Sequence, residues 1–300
     1  MKQILISSAR SHIPANATGR PSITVQSGLF INQGEAKLYI IKVGGGATIN
    51  LQGVAQDLTN LDVPTIVVLG ANAVRDDIAE RLGTPKKILT SVSGYESVYS
   101  DKETMDAIMM GYAGLRCGRF VELCQRNNVN ALGLSGVDGR AVQGQRNRGI
   151  RVREGSKIIV KRDLSGKPKR VNEPLFRLLM DNGYVPVLTV PIIDETGCAI
   201  NSENDDIVNV LQQSFGADYI VQLIEAPGFL DDRDDPNSLV PELSRSEIER
   251  REQQVEGRMK RKMLALRRLM ESGTSKVIIS DGRTDRPISD ALEGKGTIIQ

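Results

Sequence analysis

The stretch Lys42-Val43-Gly44-Gly45-Gly46 stands directly after the apolar run Leu38-Tyr39-Ile40-Ile41. A short buried strand thus ends in a lysine and three glycines, and a helix-like segment follows from Asn50. This order builds an anion site. Glycines let the backbone approach a phosphate closely, consecutive N–H groups and a helix N-terminus point at it, and a lysine adds a full charge. A strand followed by a glycine turn is common in α/β chains, and Lys42 alone reads equally as a solvated strand end. The rest of the chain has to decide.

Outward from this point, apolar runs at 38–43, 63–69, 129–134, 185–190, 219–223 and 276–280 alternate with helix-like segments at 50–61, 73–82, 102–126, 172–182, 205–215, 257–272 and 285–292. Continuous apolar strands alternating with helices predict an α/β fold, a three-layer αβα sandwich with a mainly parallel central sheet. In such sheets ligands bind beyond the carboxyl ends of the strands. Residues 141–170 interrupt the alternation. Arg151 to Lys161 reads as two strand-like segments around Glu154-Gly155-Ser156, a basic β-hairpin inserted in the fold. Between Arg146 and Arg170 there are ten Lys/Arg and two acids. A solvated face is the plain reading, but such an excess in a chain of net charge +2 predicts an acidic partner docking there.

Composition narrows the chemistry. The 300 residues are 40% hydrophobic, enough for one large domain or two modest ones. The near-neutral charge gives no sign of nucleic acid, and aromatics for stacking on single strands are scarce in the basic stretch. His12 is the one histidine, so no His-based triad or His-rich metal site is expected in the body of the chain. Cys117, Cys124 and Cys198 have no paired spacing and read as core thiols in a reducing, cytoplasmic setting. No apolar stretch approaches the ~18 residues of a membrane span. Residues 1–36 hold three basic residues and one acid. They read as a loosely ordered extension or a start placed too early, rather than a targeting peptide, with Ser22–Ile31 as a possible edge strand. Asp231 to Asn237 lacks the glycine and glutamate of a calcium loop and reads as a solvent loop.

Four further segments carry polar chemistry: Gly133-Leu134-Ser135-Gly136-Val137-Asp138-Gly139, Ala199-Ile200-Asn201-Ser202-Glu203-Asn204-Asp205-Asp206, Gly257-Arg258-Met259-Lys260-Arg261-Lys262 and Ser280-Asp281-Gly282-Arg283. Singly each is an ordinary turn, cap or charged face. Their order over residues 37–300, closed by Gly294-Lys295-Gly296-Thr297, resembles the amino-acid kinase superfamily. The likeness is to its acetylglutamate kinase branch, and within it to kinases acting on aminoadipate or glutamate held by a small acidic amino-group carrier protein.

The resemblance implies the amino-acid kinase (carbamate kinase-like) fold and transfer of the ATP γ-phosphoryl group to a side-chain carboxylate, with Mg2+ arriving with ATP and no dedicated metal cage. It implies catalytic roles for Lys42, Asp205 and Lys262. Gly44, Gly45, Gly70, Ala71, Val98 and Asn201 match positions that bind phosphate or acceptor. Pro227, Gly228, Gly257, Met259 and Lys260 match the nucleotide site. Residues 37–190 would be the acceptor half and 191–300 the nucleotide half. The basic hairpin, with Arg146, Arg148, Arg151, Arg153, Lys161 and Arg162, would take the carrier. A homodimer is also implied, to which helix 102–126 could contribute Met105, Ile108, Met109 and Tyr112.

Three departures stand out. Leu69-Gly70-Ala71-Asn72 replaces the usual His-Gly-Gly, so a methyl at Ala71 threatens close approach. Val98 stands where an arginine for the acceptor α-carboxylate is usual, with Arg75 or Arg116 as substitutes to consider. Ile224-Glu225-Ala226-Pro227-Gly228 replaces a Ser/Thr-Asp/Asn pair before Pro-Gly. The competing readings are an acetylglutamate kinase with a free substrate and a non-catalytic binding or regulatory protein.

Overall fold

A computed structural model describes residues 37–232, 234–235, 237–254, 257–271 and 276–299; the side chains of 257–262 lie outside this description. The reading of residues 1–36 therefore also lies outside the described residues. The central strands are β1 (Tyr39–Val43) and β2 (Thr65–Leu69), separated by α1 (Leu51–Leu58) and followed by α2 (Asn72–Arg81). A short hairpin, β3 (Ile88–Thr90) and β4 (Glu96–Val98), leads to the long helix. That helix has three pieces: α3 (Lys102–Ile108), a π-helical stretch Met109–Arg116, and α4 (Cys117–Arg126). Then come β5 (Ala131–Gly136), β6 (Val142–Arg146), the basic hairpin β7 (Ile150–Glu154) and β8 (Lys157–Lys161), and β9 (Gly166–Val171). After α5 (Glu173–Asp181) follow β10 (Val185–Ile193), β11 (Ala199–Ile200), α6 (Asn204–Phe215) and β12 (Tyr219–Ile224). The chain ends with β13 (Glu242–Leu243), α7 (Arg245–Gln254), α8 (Gly257–Glu271), β14 (Lys276–Asp281), α9 (Pro287–Leu292) and β15 (Thr297–Ile299).

Strands β14, β12, β1, β2, β10 and β5 pair in that order, all parallel. Antiparallel β15 and then short β13 lie at one end, and the β6–β9 pair lies at the other. The sheet is continuous across residue 190, because β1 pairs with β12 in full register from Tyr39↔Tyr219 to Val43↔Leu223. Alternate residues feed two apolar clusters. Ile40, Ile66, Val68, Leu188, Ile220 and Val277 face one, with α3, α5, α6 and α8. Ile41, Val67, Leu69, Val187, Val221 and Ile278 face the other, with α1, α4 and α9. Burial on both faces explains why these strands read as unbroken apolar runs. The long helix supplies Met105 and Ile108 to the first cluster and Phe120 and Cys124 to the second, so its π-helical middle carries it from one side to the other. Cys117 and Cys124 are core thiols, and burial pushes them up to about 11 and about 12. Cys198 is exposed, which corrects the expectation of three core thiols; it sits in the polar turn between β10 and β11.

One buried carboxylate fastens α9 to α1. Asp57 on α1 accepts from the N–H groups of Ile288 (2.7 Å) and Ser289 (2.9 Å) and from the Ser289 hydroxyl (2.7 Å), capping α9 from 231 residues away. Removing it would leave those buried donors without a partner. Asp57→Ala should destabilise the protein by about 1–3 kcal/mol, read from the urea midpoint, with Asp57→Asn losing less because one acceptor oxygen remains.

Candidate active site

The backbone beyond β1 and β2 makes a close double turn. Gly44 extends the ladder by donating to Leu223 O (2.9 Å), and Gly70 donates to Val43 O (2.8 Å). The turns then touch: a Cβ at Gly45 would stand 2.5 Å from Asn72 N and 2.7 Å from Ala71 N, and one at Gly70 would stand 2.6 Å from Gly45 N. Only glycine permits this approach. Ala73 N–H donates to Gly45 O (2.9 Å). The N–H groups of Gly45, Gly46 and Ala47 have no acceptor among the described residues. Three consecutive free N–H groups next to the start of α2 make this turn a candidate anion cradle.

Lys42, near the end of β1, pairs its ammonium with the Asp205 carboxylate in the first turn of α6. Both side chains are largely buried, 14% and 23% exposed. A pair so enclosed is fixed in direction, and its lysine offers its remaining donors to a ligand. Helix α8 lies against α6, with Asn209 donating to Ala265 O (3.3 Å) and Arg268 paired with Asp206 (3.5 Å). The backbone of Gly257, Met259, Lys260 and Lys262 thus belongs to a helix packed on the one that carries Asp205, while their side chains lie outside the described residues.

Four residues before Asp205, Asn201 is held at the meeting point of two hairpins. Its N–H donates to Leu164 O (2.7 Å), its carbonyl accepts from Gly166 (2.9 Å), and its amide donates to the Ser100 hydroxyl (3.0 Å). Ser100 in turn follows β4, which lies beside α8 and carries Val98. The β3–β4 hairpin is fastened to the basic hairpin: Val92 N donates to Arg151 O (2.8 Å), and Tyr99 OH donates to Arg162 O (3.2 Å). Arg146, Arg148, Arg151, Arg153 and Arg162 are exposed there, and Lys161 is partly covered and paired with Glu154 (2.8 Å).

Several motif residues have other duties. Asp138 is spent locally, accepting from Ser135 N (2.7 Å) and Oγ (2.8 Å). The Ala71 methyl is wholly buried in the apolar cluster, so it does not crowd the cradle as its sequence position suggested. Arg75 is buried against Asp76 through Nε (2.8 Å), and Arg116 reaches Gly46 O (3.2 Å). Gly228, beside Pro227, packs on Thr297, whose hydroxyl accepts from Phe229 N (2.8 Å); a Cβ would meet that hydroxyl at 2.8 Å. Sequence reading missed the role of Glu225. Its carboxylate accepts from Thr48 N (2.9 Å) and Thr48 Oγ1 (2.6 Å), and these bonds, helped by Arg283 and Arg116, hold it below the usual carboxylate range.

A glycine turn after a parallel strand, with a lysine fixed by an aspartate, has the parts a phosphoryl-transfer site needs. Residues 37–281 match the amino acid kinase family. The chain belongs to that family. It is 38% identical over 269 residues to a [LysW]-aminoadipate kinase of Thermus thermophilus, covering 88% of this chain and 100% of the relative. It is 31% identical over 267 residues to an acetylglutamate kinase of Methanopyrus kandleri, covering 88% and 100%. The structure of a Giardia carbamate kinase aligns with TM-score 0.61 at 17% identity over 89% of this chain and 99% of that one, a likeness of fold. Membership makes ATP the phosphoryl donor of this kinase fold.

Gly45→Ala tests the double turn. The added methyl must push the two turns apart, and turnover should fall about a hundredfold with the far-UV spectrum unchanged.

Proposed function

We propose that this chain is an ATP-dependent kinase that phosphorylates the side-chain carboxylate of an amino acid of the aminoadipate or glutamate type while its amine is attached to a small acidic carrier protein. The product is an acyl phosphate. One observation carries the reading: the segment Asn201–Asp205 joins the root of the two hairpins to the Lys42–Asp205 pair. A partner seated on the exposed arginines of β7–β8 would therefore stand beside the entrance to the cradle. The [LysW]-aminoadipate kinase relative supports the same class of acceptor.

The chemistry asks little of general bases. A carboxylate is already a nucleophile; its oxygen attacks the γ-phosphorus and the bond to ADP breaks. Catalysis rests on alignment and on neutralising charge as it spreads over the transferring group. Lys42 would supply a donor and a charge at that group, with Asp205 holding it in direction. The free N–H groups of Gly45, Gly46 and Ala47 would hold phosphate oxygens. From the match in order, Lys262 would face the same group from α8, and Gly44, Gly70 and Asn201 would border phosphate and acceptor. Pro227, Gly228, Gly257, Met259 and Lys260 would border the nucleotide, making 191–300 the nucleotide half and 37–190 the acceptor half. Magnesium bound with the ATP phosphates would add neutralising charge; the described residues hold no cluster of three or more His, Cys, Asp or Glu to cage it.

The homodimer is proposed through the long helix. Met105, Ile108 and Tyr112 are buried within the subunit, which leaves Met109, with Met110 and Leu115, as the exposed apolar residues for such a contact. A light-scattering mass of one chain at micromolar concentration would refute it.

Hydroxamate formation with ATP and hydroxylamine tests the main reading. Signal is expected with aminoadipate or glutamate attached to the carrier protein. Signal confined to free N-acetylglutamate would make the chain an acetylglutamate kinase instead, and ATP binding without signal on any acceptor would make it a binding protein. The double variant Arg151→Glu with Arg153→Glu should raise the KM for the carrier-bound acceptor at least about tenfold, an effect that shrinks in high salt and leaves the KM for ATP unchanged.

A further inference from the structure

Glu225 lies where the chain leaves β12, and it reaches across to the loop that leaves β1. Its carboxylate takes both donors of Thr48, 177 residues away in sequence. It also lies directly over Gly46: a Cβ there would collide with the carboxyl group. Arg116, in the π-helical stretch, also reaches this loop and donates to Gly46 O (3.2 Å). The Arg116 side chain is buried and its Nε has no partner among the described residues. The loop Gly46–Thr48 is thus held at Thr48 by an acid and at Gly46 by an arginine. This leaves the N–H groups of Gly45, Gly46 and Ala47 free, because Glu225 engages only Thr48.

We propose that Glu225 is a positioning residue for the nucleotide: it clasps Thr48 from the β12 loop and, with Arg116 on Gly46, holds the glycine loop in the shape that presents its free N–H groups to phosphate. This rests on the ATP-dependent reading of the site and is independent of which acceptor is used. A loop that must turn three N–H groups toward one anion loses conformational freedom on binding, and a loop already clasped loses less. The charge of Glu225 need not repel the phosphates, since the positive charges of Arg283 and Arg116 act on it and help hold it below the usual carboxylate range. Arg283 is itself fixed on Asp281 (2.7 Å) at the end of β14. The clasp therefore joins the ends of two neighbouring strands, β1 and β12, with the Arg283 charge nearby at the end of β14. Glu225 is exposed, so the contact adds little to global stability, which suits a role in ligand binding.

The test is equilibrium binding of ATP and of ADP by calorimetry on the whole protein, alongside thermal midpoints. Glu225→Gln keeps the shape and loses the charge, and it should weaken binding about tenfold. Thr48→Val should weaken binding severalfold. The double variant should be no weaker than Glu225→Gln alone, because both remove one contact. Gly46→Ala keeps Glu225 but drives its carboxylate off the loop, and should match Glu225→Gln. The midpoints should stay within about 2 °C of the unaltered protein. Unchanged affinity in Glu225→Gln, or a lowered midpoint without loss of affinity, would overturn the clasp. So would tighter binding, which would mean that the carboxylate occupies the phosphate position and has to be displaced. Failure of the unaltered protein to bind either nucleotide would end the kinase reading itself.

Discussion

The five central strands β14, β12, β1, β2 and β10 are covered on both faces, and this constraint governs everything else. A buried parallel ladder satisfies its own backbone but has no place for charge along its length. Polar chemistry is confined to the carboxyl ends, where the backbone leaves the ladder. Lys42 is the clearest consequence. Its backbone pairs with Val68 and Gln222 inside the sheet, while its ammonium has to find a partner at the rim. Asp205 is that partner, and α6 is the element that brings it there. Breaking a largely enclosed pair on one side leaves the other charge stranded, so the position of α6 relative to β1 is set by electrostatics as well as by packing.

The same confinement explains the glycines. Once two adjacent parallel strands end level, their turns compete for the same space, and Gly45 and Gly70 let the turns interlock. The methyl of Ala71 is accommodated because its side chain points into the apolar cluster and only its backbone meets Gly45. At the far rim, Gly296 at φ +128° lies against the carbonyl of Ile279 and lets β15 turn back along β14. What reads in the sequence as scattered glycine motifs is one problem, bringing loop backbones together at strand ends, solved several times.

This also accounts for what the sequence showed and what it hid. The core strands and seven helices were legible because burial on two faces or one stripe leaves an apolar pattern, and the observed elements begin and end within a few residues of those runs. Helix α7 was not, because it buries only Ile248 and is held by pairs such as Arg251–Glu247 (2.9 Å) and Arg267–Glu252 (2.8 Å). The short strands β3, β4, β13 and β15 span two or three residues, too few to show a period. The π-helical widening of the long helix has no apolar signature at all. In the site, Lys42, Asp205 and Asn201 were recognisable by motif. Glu225–Thr48 and Asp57–α9 were not, because each joins residues far apart in sequence, and only the fold puts them side by side.

The loss of an arginine at Val98 fits this arrangement on energetic grounds. A small free acceptor has few groups by which to be held, so a bidentate partner for its α-carboxylate would carry much of its binding and alignment. An acceptor attached to a protein is held by contacts remote from the reacting carboxylate, and that binding energy can align the reacting end without a local arginine. The requirement is that remote contacts be rigidly connected to the site. The basic hairpin is bonded to β3–β4, and both hairpins converge on Asn201, four residues from the aspartate paired with Lys42. On the proposed reading, rigidity between the basic hairpin and the cradle would take the place of a charge inside the pocket, and the departure at Val98 would be a change in how the acceptor is held rather than a loss of the reaction.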